Sequence, residues 1–229
     1  MRVISYNLRK HAAVGELADL VAAHDPHLVC LQEIDTSQLP AELGPLHLAD
    51  ATKRNRLGLA VYYDRERFES KATAAFQLKK SLHDRIAAPA HERVLGTHLI
   101  DLESSRELVV ASFHAAPLTA LNSLRRKQIH AAHEALRGFG PNLPTLMVGD
   151  FNYPVFKDFL HADVRDSGYE LTLSDARTYT RYRFFRGHFD FATSTGLDIA
   201  SVRTLPQGVS DHLPILVAAD YAARAEAAA

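Results

Sequence analysis

The N-terminal part of the chain contains two apolar runs with a segment of helical periodicity between them. Val3–Asn7 and Leu28–Ile34 are each predicted to be a buried strand, and residues 13–24 repeat apolar side chains at helical spacing. A strand-helix-strand unit of this kind almost always closes right-handed with its two strands parallel. Because Asn7 and Glu33 stand at the ends of these strands, we expect both side chains at one edge of one sheet.

The middle of the chain is predicted to be antiparallel β-structure followed by a long helix. Four apolar runs follow one another with charged turns between them, at Leu57–Tyr63, Phe68–Leu78, Val94–Leu102 and Leu108–Phe113. Consecutive strands without helices favour antiparallel pairing. The helix is predicted over Leu118–Leu136, with Leu121, Leu124, Ala132 and Leu136 on one side.

The run Leu143–Val148 is followed by the turn sequence Gly149-Asp150-Phe151-Asn152. Glycine allows the backbone to turn closely, and in extended geometry Asp150 and Asn152 point the same way. Both would then lie at the carboxyl end of a strand, which is where open α/β sheets bind ligands. An ordinary turn also uses Asp, Asn and Gly, so the motif alone leaves both interpretations open.

The last part of the chain is predicted to close the domain with a short helix at residues 155–160 and strands at 188–193 and 212–218. Helices interleaved with antiparallel segments predict an α/β fold of two packed mixed sheets with helices on the outside. One domain is predicted over residues 1–220. The Ala-rich residues 221–229 are expected to be a frayed helix end or a disordered tail.

Composition narrows the possible partners of this chain. With 229 residues, 47% of them hydrophobic, the chain can fill a core, and its formal net charge of −1 gives no overall attraction to nucleic acid. Any affinity for polyanions must therefore come from a local basic patch or a metal. The only cysteine, Cys30, lies in an apolar run. This excludes internal disulfides and is typical of a small buried side chain in a reducing compartment.

The start of the chain and its apolar runs bear on location. The first predicted strand begins at Arg2, which leaves no room for a signal peptide. No apolar run approaches the roughly 20 residues that a membrane-spanning helix needs. We therefore expect a soluble, cytoplasmic protein without a membrane span and without an obligate protein partner.

Polar residues recur at predicted strand ends and turns, at Asn7, Glu33, His114, Asp150, Asn152, Asp190, Asp211 and His212. Short motifs surround most of them: S-Y-N-L at 5–8, L-Q-E-I at 31–34, S-F-H at 112–114, G-D-F-N at 149–152 and S-D-H at 210–212. In order and spacing these motifs resemble the endonuclease/exonuclease/phosphatase superfamily, the deoxyribonuclease-like fold, from residue 4 to about residue 217. The resemblance implies a four-layer α/β sandwich of two mixed sheets and metal-dependent phosphoester hydrolysis.

The resemblance also implies a metal site. Glu33 would bind the ion, Asn7 would help to hold the ion or the phosphate, and Asp211 would assist. A carboxylate at a strand end suits a hard cation, and magnesium commonly takes only one or two protein carboxylates. Mg²⁺ is the expected cofactor, with Mn²⁺ as the alternative. A turn-capping carboxylate at Glu33 and a turn-forming amide at Asn7 are the ordinary interpretations of the same residues.

The catalytic roles follow from the same resemblance. His212 is the candidate base or charge stabiliser, because an imidazole changes charge near neutral pH, and Asp190 would orient it. Asp150 would orient or deprotonate the attacking water, and Asn152 would donate to a phosphate oxygen. His114 is predicted to be a second histidine facing the scissile phosphate, although an isolated histidine is more often structural.

The substrate is predicted from a basic and aromatic stretch before Asp190. Arg181 and Arg183 there can hold phosphates, Tyr182 can stack on a base, and Arg54 belongs to a second basic rim. A charged surface with half-buried aromatic side chains is the other interpretation of this stretch. Nucleic acid is the favoured substrate, and a small or lipid phosphoester, such as an inositol phosphate or a sphingomyelin-like diester, fits the same core.

Other classes of protein are less compatible with the sequence. A calcineurin-type phosphoesterase needs an early Asp-x-His and a Gly-Asn-His-Asp or Gly-Asn-His-Glu motif, and neither occurs. The sequence contains no His-Glu-x-x-His zinc motif, no P-loop and no glycine fingerprint for nucleotides. An inactive binding module with the same fold remains the non-enzymatic alternative.

Overall fold

The computed structural model describes residues 1–53, 55, 57–86, 91–153, 157–181 and 187–223 and contains two mixed β-sheets. The seven-stranded sheet has the spatial order β12 (Leu197–Thr204), β13 (Ile215–Tyr221), β1 (Arg2–Asn7), β2 (Leu28–Ile34), β5 (Gly58–Asp64), β4 (Leu46–Ala51) and β3 (Glu42–Leu43). The six-stranded sheet has the order β10 (Glu170–Leu173), β11 (Asp190–Thr195), β9 (Thr145–Asp150), β8 (Arg106–His114), β7 (Glu92–Asp101) and β6 (Phe68–Gln77).

The helices connect the strands and cover the outer faces of the sheets. The α-helices of the described residues are α1 (Leu17–His24), α2 (Leu82–Ile86), α3 (Asn122–Arg137) and α4 (Lys157–Asp166). Two short 3-10 helices lie at Val14–Glu16 and Thr36–Gln38. Of the described helices, none is long and apolar enough to cross a membrane.

Three apolar clusters hold these layers together. The central cluster lies between the sheets and joins side chains such as Val61 and Val148 from opposite sheets. A second cluster packs α3 and α4 onto the six-stranded sheet, and a third packs α1 onto the seven-stranded sheet. The molecule is therefore a four-layer α/β sandwich, as predicted, and Cys30 lies fully buried in the central cluster.

Each sheet contains one parallel pair of strands at its centre. In the seven-stranded sheet β1 runs parallel to β2 with α1 between them in the chain, which confirms the predicted strand-helix-strand unit. In the six-stranded sheet β8 runs parallel to β9, and α3 forms the crossover. The remaining pairings are antiparallel, including the predicted series β6, β7 and β8. The two crossovers give both sheets a carboxyl edge with polar side chains.

Several elements differ from the predictions. Strands β3, β4, β10 and β12 were not predicted. Strands β3, β10 and β12 are edge strands, and all four are short or mix apolar with polar side chains, which weakens the apolar pattern. Helix α3 begins at Asn122 rather than at residue 118, and Leu121 precedes it and is exposed rather than packed in the core. Strand β9 continues through Gly149 to Asp150, and β13 begins at Ile215.

The end of the chain bears on the predicted domain boundary. Strand β13 runs to Tyr221, whose half-buried ring lies under the guanidinium of Arg106 at 4.0 Å, so the folded part extends past residue 220. Residues 224–229 lie outside the described residues, and the disordered tail stays a prediction.

Candidate active site

The two parallel strand pairs bring their carboxyl ends together across the sandwich. Asn7 and Glu33 come from β1 and β2, and His114 and Asp150 come from β8 and β9. The amide Nδ2 of Asn7 donates to Asp150 Oδ2 at 3.0 Å, and His114 Nε2 lies 3.9 Å from Glu33 Oε1. Residues that are 143 positions apart in the chain are therefore in direct contact.

Gly149 allows β9 to approach β8 at the site. Its φ is +150°, and a Cβ at this position would lie 1.9 Å from the carbonyl oxygen of Phe113. No other residue type fits such a contact without moving the backbone. The close approach places Asp150 directly opposite His114 in the strand register.

Glu33 lies in an irregular part of β2. The pairing of β2 with β5 shifts register between Leu31 and Ile34, and Glu33 has a φ of +55°. Bulges of this kind redirect side chains, and such strain is often kept at functional sites. The backbone N–H of Lys10 donates to Glu33 Oε2 at 2.9 Å, and about 23% of the Glu33 side chain is exposed. Glu33 is thus the carboxylate of the site that is open to solvent.

Asp150 is the buried centre of the site. Its Oδ1 accepts from the backbone N–H of Asn152 at 2.9 Å, and its Oδ2 accepts from the amides of Asn7 and Asn152 at 3.0 and 3.1 Å. His114 Nε2 and His212 Nε2 lie 3.6 and 3.7 Å from the same oxygen. Burial raises the pKa of Asp150 to about 7 despite the opposing effect of His212.

His212 is held between two buried carboxylates. Its Nδ1 bonds Asp190 Oδ2 at 2.8 Å, while its Nε2 faces Asp150. Burial alone would lower the pKa of His212, but Asp190 and Asp150 outweigh it and raise the pKa to about 10. His212 therefore carries a positive charge at neutral pH.

The loop before β13 is fastened to β1, which fixes the position of His212. The hydroxyl of Ser210 donates to the carbonyl oxygen of Asn7 at 2.7 Å and accepts from the backbone N–H of His212 at 3.1 Å. Asp190 is held in turn, since its backbone N–H donates to Thr178 Oγ1 at 3.0 Å. Hydrogen bonds to the backbone of each residue therefore hold Asp190 and His212 in position.

His114 has the opposite electrostatic setting. Burial and the nearby charge of Arg93 lower its pKa well below the usual value, so its imidazole is neutral at pH 7. The guanidinium of Arg93 donates to the carbonyl oxygens of His114 and Ala115 at 2.9 and 2.8 Å and pairs with buried Asp84. Sequence reasoning missed Arg93, because an arginine inside a strand gives no local sign of such burial.

The rim of the site is basic. The carboxylate of Asp211 lies between Arg9 Nε at 3.8 Å and Arg181 at 3.9 Å. Arg181 was predicted from the sequence, whereas Arg9 was missed although it follows Asn7 closely at the end of β1. The predicted substrate residues Arg54, Tyr182 and Arg183 lie outside the described residues.

The donor atoms at the site fit the divalent metal that the fold family implies. Glu33 and Asp150 both face His114 Nε2, and hard oxygen donors of this kind suit magnesium or manganese. Burial is the main cause of the raised pKa of Asp150, and the nearby carboxylates of Asp190 and Glu33 add to it, so a cation at this place would be attracted by three carboxylates. Ligand atoms of Asp150, Asp190 and His212 also lie within 4.8 Å of one another, but Asp190 is occupied by His212. Glu33 is therefore the more accessible candidate ligand.

Comparison with known proteins places this arrangement in a family. The chain is 27% identical to Protein angel of Drosophila melanogaster over 164 residues, which is 65% of this chain and 44% of that protein, so the match spans less than half of the relative. The mannosyl-6-phosphatase of Bacteroides thetaiotaomicron superposes with a TM-score of 0.76 at 19% identity, covering 96% of this chain and 100% of the other. TDP2 of D. rerio, solved with a single-strand DNA product, gives a TM-score of 0.74 at 13% identity, covering 96% and 98%.

The two structural likenesses show a shared fold, and the sequence match goes further. The model of the Endonuclease/Exonuclease/phosphatase family matches residues 4–212, which is nearly the whole folded chain. The match includes all of the motifs on which the resemblance was based. The chain belongs to the Endonuclease/Exonuclease/phosphatase family.

Proposed function

We propose that this protein is a divalent-metal-dependent phosphodiesterase that cleaves nucleic acid by in-line attack of an activated water. The observation that carries the proposal is the position of Asp150, whose Oδ2 lies within 4 Å of both His114 and His212 while Asp190 holds the far side of His212. A buried carboxylate flanked by a neutral and a charged imidazole supplies a proton acceptor and a charge stabiliser in one place.

Asp150 is proposed to accept the proton of the attacking water. Its pKa of about 7 matches neutral pH, where a general base works best. The amides of Asn7 and Asn152 hold Oδ2, so the carboxylate has one fixed orientation. The Asn152 amide has a second N–H, which is proposed to donate to a phosphate oxygen of the substrate.

His212 is proposed to stabilise the charge of the phosphoryl group rather than to act as the base. It is already protonated at neutral pH, since Asp190 and Asp150 raise its pKa to about 10. An imidazolium in a buried site interacts strongly with negative charge that develops on phosphate oxygens. Neutral His114 lies on the other side of Asp150 and can donate one N–H to the same group.

Glu33 is the proposed main ligand of the cation, and Asn7 and Asp211 stay predicted helpers. When bound, Mg²⁺ supplies positive charge that polarises the phosphate and neutralises its oxygens. Asp211 has a further part in this proposal, because its ion pairs with Arg9 and Arg181 order the basic rim.

Nucleic acid is the proposed substrate class because the exposed rim is basic although the chain as a whole is not. Arg9 and Arg181 are both about half exposed at the entrance, and Lys10 lies next to Glu33. Basic side chains around a phosphodiester site hold the neighbouring phosphates of a strand. The structure of TDP2 with a single-strand DNA product is in keeping with this substrate class.

The proposal is tested with a panel of substrates. Purified protein is given bis(p-nitrophenyl) phosphate, single-stranded DNA and RNA, inositol phosphates and sugar phosphates, with Mg²⁺, with Mn²⁺ or with EDTA. We expect metal-dependent hydrolysis of bis(p-nitrophenyl) phosphate and of single strands. Turnover of only monoesters such as mannose 6-phosphate would replace the nuclease assignment with a phosphatase one, and no metal-dependent turnover of any substrate would leave a binding module.

The ligand role of Glu33 has its own test. Isothermal titration of Mn²⁺ into the wild type and into Glu33→Gln should show metal binding lost in the variant. Glu42→Gln, on the exposed edge strand β3, is the matched control. Equal Mn²⁺ affinity in Glu33→Gln and wild type would remove Glu33 from the proposed metal site.

A further inference from the structure

A groove of about 630 Å³ lies between the segment 79–82 and the start of α3. Three lysines line it: Lys79, Lys80 and Lys127. No acidic side chain is among the described residues that form its walls. Thr119 and Ala120, which also line it, belong to the loop that leads from His114 to α3. The groove is therefore a local basic region on a chain whose formal net charge is −1.

The walls of the groove are joined by hydrogen bonds to the loop that runs from His114 to α3. Gln128, which is fully buried on α3, accepts from the backbone N–H of Ala116 at 2.8 Å and donates to the carbonyl oxygen of Lys79 at 2.7 Å. One side chain thus joins the segment 79–82 to the residues that follow His114. The hydroxyl of Ser81 and its backbone N–H both donate to Asp84 Oδ2 at the start of α2. These hydrogen bonds fix the shape of the groove and connect it to the loop that follows His114.

Two leucines on the groove are exposed to an unusual degree. Leu82 on α2 is 73% exposed and Leu121, just before α3, is 75% exposed. They are the most exposed large hydrophobic side chains among the described residues. Apolar side chains grouped with unpaired charge at one place indicate a binding surface. In the described structure Lys79 and Lys127 make no ion pair, so their charges are available to a ligand.

We propose that this groove binds the part of a single-stranded nucleic-acid substrate that extends beyond the scissile phosphate. Lysines would contact the phosphates, and the leucines would contact the apolar faces of sugars and bases. Charge decides between this ligand and a peptide, because a nucleic acid carries a negative charge at every phosphate. The groove also includes Thr119 and Ala120 of the loop that follows His114. The proposal rests on the proposed function and identifies the substrate as a single-stranded nucleic acid of several nucleotides rather than a small phosphoester.

The test measures kcat/KM for single-stranded substrates of increasing length, from a dinucleotide to a dodecanucleotide. For the wild type kcat/KM should rise with length. For the double variant Lys79→Glu with Lys127→Glu, kcat/KM for the dodecanucleotide should fall about 10- to 100-fold. The slope of log(kcat/KM) against the logarithm of the salt concentration should also become less negative by ~1.4, which is ~0.7 for each lost phosphate contact. Hydrolysis of bis(p-nitrophenyl) phosphate, which has no neighbouring nucleotides to place in the groove, should not change.

A control variant makes the same change in charge elsewhere. Arg65→Glu with Arg165→Glu changes two exposed cations that make no ion pair within the described residues, in the turn before β6 and in the last turn of α4, and should keep the length dependence. If the groove variant and this control lose the same activity on the dodecanucleotide, the groove plays no part. If the wild type does not hydrolyse bis(p-nitrophenyl) phosphate, that result counts against the proposed function and not against the groove.

Binding is measured separately, so that the groove can be tested without turnover. Fluorescence anisotropy of a labelled dodecanucleotide should show weaker binding to Lys79→Glu with Lys127→Glu, and also to Leu82→Ala with Leu121→Ala, than to the control. Unchanged affinity in both groove variants would overturn the proposal. It would equally be overturned if a labelled peptide of alternating Glu and Leu bound the groove while the oligonucleotide did not.

Discussion

Strand β11 contacts a buried histidine on each of its two faces, and one of the two histidines is charged whereas the other is neutral. Asp190, at the start of the strand, bonds His212, whereas Thr193 bonds His133 on α3 at 2.9 Å. Both histidines are almost completely buried. Burial is therefore common to both, and only the partners differ.

The partners decide the charge of each ring. Carboxylates on both sides raise the pKa of His212 to about 10, whereas His133 has hydroxyl partners, Ser167 Oγ at 2.8 Å and Thr193 Oγ1. Burial and the charge of Arg137 lower the pKa of His133 to about 3. A buried histidine between hydroxyls is a neutral structural group, and one between carboxylates is a charged group ready for chemistry.

The structural role of His133 is visible in its contacts. Its ring stacks on Tyr169 at a centroid distance of 3.7 Å and an angle of 4°. The hydroxyl of Ser167 donates to the carbonyl oxygen of Val164, so it accepts from His133 Nδ1–H, and Thr193 must donate to Nε2. This arrangement joins α3, the segment just after α4 and β11 through hydrogen bonds between uncharged groups.

The largest predicted effect is the loss of turnover when the charged site is removed. His212→Ala and Asp150→Asn should each lower kcat by about 10³- to 10⁴-fold, because one removes the charge stabiliser and the other the proton acceptor. Steady-state assays with bis(p-nitrophenyl) phosphate measure this, with circular dichroism to confirm folding. His130→Gln, exposed on α3, is the matched histidine control. Activity retained in either site variant would refute the assigned roles.

A smaller loss is expected when only the partner of His212 is changed. Asp190→Asn keeps the shape of the side chain but removes the carboxylate that holds the imidazolium, so kcat should fall about 10²- to 10³-fold. Because Asp190 raises the pKa of His212, its loss should also move the alkaline limb of the kcat profile to lower pH. If the alkaline limb lies at the same pH in Asp190→Asn and in the wild type, Asp190 acts by packing alone.

The third prediction concerns the neutral histidine and acid stability. The pKa of His133 is lowered to about 3 in the folded state, against 6.5 for an ordinary histidine, so the unfolded chain binds the proton more readily. Stability from this group is complete above pH 6.5 and is lost as the pH falls towards 3. Between pH 7 and pH 4 the loss is about 3 kcal/mol.

Urea unfolding at several pH values measures that loss. His133→Gln should be less stable at pH 7 but should lose about 3 kcal/mol less than the wild type on acidification to pH 4. His24→Gln, on the distant helix α1, should behave like the wild type. If the pH dependence of wild type and His133→Gln coincide, protonation of His133 does not contribute to acid unfolding.

The two faces of β11 also show how far sequence reasoning reaches. Asp190 could be predicted, because a carboxylate between Phe189 and Phe191 needs a partner and the family motifs supply one. The burial of His133 could not, since a histidine in a helix gives a polar signal and both hydroxyl partners come from distant segments, 34 and 60 positions away.

The same distinction holds for the rest of the site. Asn7, Glu33 and Asp150 were predictable because each ends an apolar run whose direction follows from local pattern. Arg9 was not, because its partner Asp211 lies in the loop before β13, which is brought to the site by the pairing of β13 with β1. The approach of β9 to β8 at Gly149 is likewise set by tertiary packing.

The smallest predicted effect isolates a single hydroxyl on the structural face of β11. Thr193→Val keeps the volume of the side chain but removes the donor to His133 Nε2, which leaves a buried acceptor without a partner at a cost of about 1–3 kcal/mol. Chemical unfolding at neutral pH measures the loss, and kcat should stay within about twofold of the wild type. Thr195→Val, at the less buried end of the same strand, is the matched control. A Thr193→Val protein that kept full stability but lost activity would show that the two faces of β11 are coupled, because the charged face would then depend on the neutral one.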